Sequence, residues 1–127
     1  MKDNEFKWLK RWFVVHFVID IVVAVPLMLV PGKVLGILGI DGGVSLARVV
    51  SAALLGIGGE SWFGRNNSKK GYIGMLRLKI IWSSMAVLAL SWGVVDKELS
   101  LLVGASLAGV FIVFNILWTY WFLRLRK

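Results

Sequence analysis

Five side chains in this sequence can carry charge or make directed hydrogen bonds from inside long apolar runs. They are His16 and Asp20 in the first run, Arg48 and Glu60 in the second, and Asn115 in the last. A histidine beside carboxylates can bind and release a proton near neutral pH. Carboxylates, an arginine and an amide can also close into an interhelical network or line a ligand pocket. His16 and Asp20 stand four positions apart, so a helix stacks them on one face. Asp20 is the deepest acid by residue count and has two candidate partners, His16 one turn away and Arg48 reaching in from the next segment. His16 with Glu60 is a second candidate pair. Structural glue, a ligand pocket, a proton path, and simple snorkelling of Glu60 to water are all compatible with these residue types. An ionisable group near mid-bilayer costs about 2.5–3.5 kcal/mol on insertion scales, so the set is expected to face protein or a water-filled cavity rather than lipid.

The elements that must position these groups are membrane helices. The chain has 127 residues, of which 58% are hydrophobic, and a mean hydropathy of +0.79, well outside the range of an ordinary soluble domain. Four spans of about 20 residues use most of this length. The expected fold is therefore all-α: a single membrane domain over residues 1–127, built as a bundle of four transmembrane helices. The apolar runs place the spans at 12–30, 44–63, 79–95 and 99–123, preceded by a short interfacial helix over 3–11 that Asp3 or Asn4 could cap. Pro31-Gly32 ends the first span, Asp41-Gly42-Gly43 reads as a turn, and the basic stretch 64–78 reads as a loop. Small residues predict close helix contacts at Gly56 and Gly59 in the second span and at Gly104, Ala108 and Gly109 in the fourth.

Charge supplies orientation. Twelve of the fifteen basic residues, from Lys2 onward and including Lys79, fall at the N-terminus, in the middle basic stretch or in the tail, against Lys33 and Lys97 on the other side. The positive-inside rule then puts both termini in the cytoplasm of a multi-pass inner-membrane protein. The formal net charge of +8 is read as a match to anionic lipid headgroups rather than to nucleic acid, because the basic residues sit at helix ends. Asn66-Asn67-Ser68 matches a glycosylation acceptor, but so basic a stretch is expected on the cytoplasmic side.

Several chemistries are excluded or disfavoured. With no cysteine in the chain, disulfides, thiolate metal sites, iron–sulfur clusters and cysteine nucleophiles are absent together. Gly56-Ile57-Gly58-Gly59 lacks the strand and the Gly-Lys-Ser context of a phosphate loop, and Ser83-Ser84 has no activating base within its own motif. No residue is assigned a catalytic role and no metal site is expected. No cofactor is required either, although His16 could serve as one axial ligand of a haem.

From Pro31-Gly32 through Leu38-Gly39-Ile40, then Ala47-Arg48 and Ala52-Ala53-Leu54-Leu55-Gly56-Ile57-Gly58, the chain resembles small bacterial four-helix membrane proteins of the DoxX-like type. The resemblance covers most of the spans. It implies a ligand-binding or redox-associated membrane protein, some of whose relatives accompany quinone-linked oxidoreductases, with Arg48 belonging to the shared pattern. His16 and Asp20 do not match that pattern. Two further readings stand beside it: a small proton-coupled transporter using Asp20, and a non-catalytic accessory subunit. The second would work in a homo-oligomer or a larger membrane complex.

Overall fold

The computed structural model describes residues 3–127; Lys2 and the side chain of Asp3 lie outside the described residues. Five α-helices follow in order: α1 (Asp3–Leu29), α2 (Pro31–Ile37), α3 (Val44–Phe63), α4 (Lys69–Val95) and α5 (Leu101–Arg126), with a 3-10 turn at Gly64–Asn66. Among the described residues there is no strand. Four helices, α1, α3, α4 and α5, are long and apolar enough to cross a membrane. The chain divides into two compact units, one ending at Ser68 and the other beginning at Lys69. Each is an antiparallel helical hairpin.

In the first unit α1 packs on α3. The buried residues of α1 are Leu9, Phe13, His16, Asp20, Ala24 and Leu27, recurring every three or four positions as one helix face requires. Those of α3 are Ala47, Ser51, Leu54, Gly58 and Ser61, in the same alternation. Lys10 Nζ donates to Asn66 Oδ1 at 2.6 Å, Phe17 meets Trp62 at 5.1 Å between ring centroids, and Ser51 Oγ donates to the Ala24 carbonyl at 2.6 Å. As the α1 number rises the α3 number falls, which fixes the antiparallel register along the whole seam. Lipid tails are as apolar as leucine, so helix association here rests on close packing and hydrogen bonds rather than on expulsion of water. The outward faces are accordingly apolar, with Val22, Val23, Val49 and Leu46 exposed.

The corner between α1 and α3 is built locally. Pro31 opens α2 at a position where a missing N–H costs nothing. Gly39 closes α2 in the left-handed region at φ +69°, and Ile40 N–H returns to the Leu35 carbonyl at 2.9 Å. This glycine-terminated helix end folds Ile40 and Val34 against Leu27, Leu35 and Ala47. Gly43, at φ +72°, then caps α3, a backbone conformation that side chains disfavour.

In the second unit α4 buries Tyr72, Met75, Leu76, Lys79, Ser83 and Gly93. Facing them, α5 buries Gly104, Ala108, Trp118, Trp121 and Leu125. The turn bonds Glu98 N and Leu99 N to the Gly93 carbonyl at 2.9 and 3.0 Å. Ser100 caps α5 by accepting from Val103 N at 3.2 Å.

Three sequence expectations are corrected. The interfacial helix over 3–11 is not separate, because α1 runs unbroken from Asp3 to Leu29 through Pro26. The basic loop over 64–78 shrinks to the segment ahead of Lys69: residues 69–78 are helical, since lysine, arginine, leucine and methionine favour helix and charge alone does not break one. Glycine contacts are also selective. An added Cβ would meet nothing within 4 Å at Gly56, Gly59 or Gly109, whereas at Gly104 it would run into the Val94 side chain. Gly56 and Gly59 lie out of phase with the stripe through positions 54 and 58, and Gly109 is one residue past Ala108, which does lie in the seam. Gly104→Ala should therefore destabilise the protein by about 1–3 kcal/mol, the usual range for overpacking, while Gly109→Ala should be near neutral or mildly stabilising. Thermal unfolding of the two variants in detergent checks this; equal midpoints would refute the seam assignment.

Candidate functional site

The site grows from two residues of the α1 stripe. Because His16 and Asp20 share the face that packs on α3, both are buried well inside an apolar span, at 9% and 6% exposure. Asp20 Oδ2 lies 2.9 Å from His16 Nδ1. The distance is that of an ion pair or hydrogen bond, yet Asp20 Oδ2 has no hydrogen-bond partner among the described residues. Distance and alignment therefore disagree. Distance is the firmer guide to the electrostatics, because Coulomb attraction does not need a linear N–H, so the contact is a close electrostatic pairing without a well-directed hydrogen bond.

Opposite the pair, α3 presents its smallest residue. A Cβ on Gly58 would stand 2.7 Å from Asp20 Cβ and 3.0 Å from Asp20 Oδ2. The two helices approach so closely here that only glycine leaves room for the carboxylate. On either side of Gly58 along the seam, Ser51 and Ser61 are fully buried. Ser51 ties α3 to the Ala24 carbonyl, whereas Ser61 Oγ donates within its own helix to the Ile57 carbonyl at 2.8 Å. Towards the Lys10–Asn66 end, the Phe17–Trp62 contact covers the seam, with the Arg65 guanidinium 3.8 Å from the Trp62 ring centre.

The other three residues singled out in the sequence lie elsewhere. Arg48 is not the partner of Asp20. It is exposed, and its Nε reaches the Met28 carbonyl at 3.4 Å, a long contact to one of the last carbonyls of α1, where a cation is favourably placed. Residue depth suggested the ion pair, but the side chain leaves α3 away from the seam face. Glu60 is likewise exposed, one position short of the buried Ser61, and does not pair with His16. Asn115 belongs to the second hairpin. Its Nδ2 donates to the Ile80 carbonyl at 3.1 Å, Ser83 Oγ at 2.8 Å and Ser84 Oγ at 2.9 Å, so it ties α5 to α4.

Sequence reasoning missed two positions. Gly58 is the residue against Asp20, and its signal was phase: it continues the alternation through 47, 51 and 54, which its neighbours Gly56 and Gly59 do not. Lys79, which opens the third apolar run and reads from sequence as a boundary charge, is 3% exposed, with Nζ 5.1 Å from the centre of the Trp118 ring. It too continues a stripe, through Tyr72, Met75 and Ser83.

Among the described residues no group of three or more His, Cys, Asp or Glu side chains could hold a metal ion. His16 is enclosed by the seam, so a porphyrin would reach it only if α1 and α3 parted. Comparison with known proteins finds no matching family model, no matching curated protein and no matching solved structure.

Gly58→Ala should displace Asp20 or separate the helices, destabilising by about 1–3 kcal/mol, while Gly56→Ala and Gly59→Ala should have little effect. A double-mutant cycle on unfolding should show coupling of at least about 0.5 kcal/mol between positions 16 and 20 and none beyond about 0.3–0.5 kcal/mol between 20 and 48. Coupling confined to 20 and 48 would overturn the geometry.

Proposed function

We propose that this chain is a small multi-pass protein of the inner membrane, DoxX-like in kind and not itself an enzyme, in which His16 and Asp20 hold a proton inside the bilayer for a redox-linked or ligand-binding process. The observation that carries the reading is the buried 2.9 Å contact between them. Together an imidazole and a carboxylate can bind one proton with no net charge, as a carboxylic acid beside neutral imidazole or as an imidazolium beside carboxylate. Loss of that proton or gain of a second leaves a unit charge in a seam where charge is costly. Such a pair responds strongly to any event that changes the local field or hydration. Quinone chemistry exchanges protons with electrons, so the quinone-linked role that the resemblance implies needs this kind of group. The orientation proposed has both termini cytoplasmic, with the basic residues at Lys7–Arg11, Arg65–Lys70 and Arg124–Lys127 among anionic headgroups.

Infrared difference spectra between acid and alkaline conditions should contain a carboxyl signal that Asp20→Asn removes and His16→Gln shifts. Spectra unchanged by Asp20→Asn would end the proton-binding reading. If the same substitution abolishes pH-gradient-driven flux in proteoliposomes, the activity is transport rather than redox support. Single cysteines replacing Lys69 and Lys97 test orientation in intact cells: an impermeant reagent should label position 97 and spare 69, and the reverse pattern would invert the topology.

A further inference from the structure

The second hairpin carries a polar feature that the His16–Asp20 pair does not use. Asn115 Nδ2 donates to the Ile80 carbonyl, which can only accept, so this contact fixes the amide with its oxygen directed away from Ile80. Ser83 passes its own proton to the Lys79 carbonyl at 2.8 Å, and Ser91 donates to the Val87 carbonyl at 2.8 Å. Ser84 does neither. Its hydroxyl accepts from Asn115 at 2.9 Å and donates to nothing among the described residues; Asn115 Oδ1 likewise accepts from nothing there. One unused donor and one unused acceptor are thus left side by side. They sit where Ser84, Val87, Ile112, Asn115 and Ile116 line an open cleft of about 280 Å³, well inside the two spans, where lipid tails offer neither partner.

We infer that this face of α4 and α5 docks a second copy of the chain. A patch that holds one donor and one acceptor is self-complementary, which is what a two-fold interface requires. With the two-fold axis along the membrane normal, each Ser84 hydroxyl donates to the Asn115 Oδ1 of the other copy, at equal depth because both groups belong to one cluster. Ile112, Ile116 and Val87 supply the apolar packing around the two bonds. The first hairpin offers no substitute. Its polar side chains His16, Asp20, Ser51 and Ser61 are buried in their own seam and its outward residues Val18, Ile19 and Val22 are apolar, while the exposed Glu60, an acceptor only when ionised, has no proton to give Asn115 Oδ1.

The chain has no cysteine, so single cysteines in the full-length protein, reconstituted in lipid vesicles, report the interface directly. Ile116→Cys should give a cross-linked dimer on oxidation, and Val110→Cys, on the far side of α5, should not. Ser84→Ala should weaken dimerisation about sevenfold, the loss of two bonds of the average strength found between membrane helices. At protein-to-lipid ratios low enough to keep the chain monomeric its thermal midpoint should change little, since Asn115 keeps Ile80 and Ser83. Equal cross-linking at positions 110 and 116, a monomer at every protein-to-lipid ratio, or dimerisation unaffected by Ser84→Ala would each overturn the proposal. So would cross-linking of position 116 to a cysteine on α1 or α3 of the same molecule, which would show the first hairpin covering the patch.

Discussion

The constraint on which the structure depends is that polar groups inside an apolar span must find their partners in protein. Each hairpin meets most of it along an antiparallel seam, leaving Asp20 Oδ2 in the first and Trp121 Nε1 in the second without a directed partner among the described residues, and in each the seam narrows where small residues permit. In α1–α3 the narrow point is Gly58, in α4–α5 it is Gly104. Close approach brings backbone carbonyls within reach of side chains on the facing helix: Ala24 for Ser51 and Ile80 for Asn115. Each such bond between membrane helices averages only about 0.6 kcal/mol. Their larger effect is on register, because a slip of one residue would strand the donors that reach across, Ser51 Oγ and Asn115 Nδ2.

The two seams answer the constraint with different chemistry. The α4–α5 hairpin uses neutral hydrogen bonds and one cation, Lys79, held against the face of Trp118. The α1–α3 hairpin instead buries an acid and a base in contact. Replacing a buried ion pair by apolar residues is often neutral or stabilising, so such a pair is weak evidence of a purely structural role. Ser51 and Arg48 already tie α3 to carbonyls of α1. The His16–Asp20 contact itself lies within one helix and demands a glycine opposite it. The asymmetry is one of chemistry: an acid and a base in contact in the first seam, neutral hydrogen bonds and a lysine over an aromatic ring in the second.

Much of this was legible in the sequence, for identifiable reasons. Apolar length marks the four long helices, and the four-residue spacing of His16 and Asp20 marks their pairing, because both follow from helix geometry alone. Partner choice across helices was not legible. Arg48 and Glu60 reach suitable depths, but depth by residue count ignores rotation: both stay exposed, and Arg48 bonds the Met28 carbonyl rather than Asp20. Three glycines within positions 56–59 could not be ranked until the phase set by Ala47, Ser51 and Leu54 singled out Gly58. The basic run after Asn67 read as a loop because charge density imitates one, although its residues are good helix formers.

Asn115 makes all its hydrogen bonds within its own hairpin. By depth it matches His16 and Asp20, and a single polar cluster would satisfy all three economically. The amide, however, needs an acceptor for its N–H groups, and Ile80, Ser83 and Ser84 supply acceptors within the same hairpin, where the short turn makes α4 and α5 neighbours at little entropic cost. A local partner reached across five turn residues forms before a distant one of equal strength. The α4–α5 hairpin thus satisfies the amide within itself, and on α3 the residue against Asp20 is Gly58.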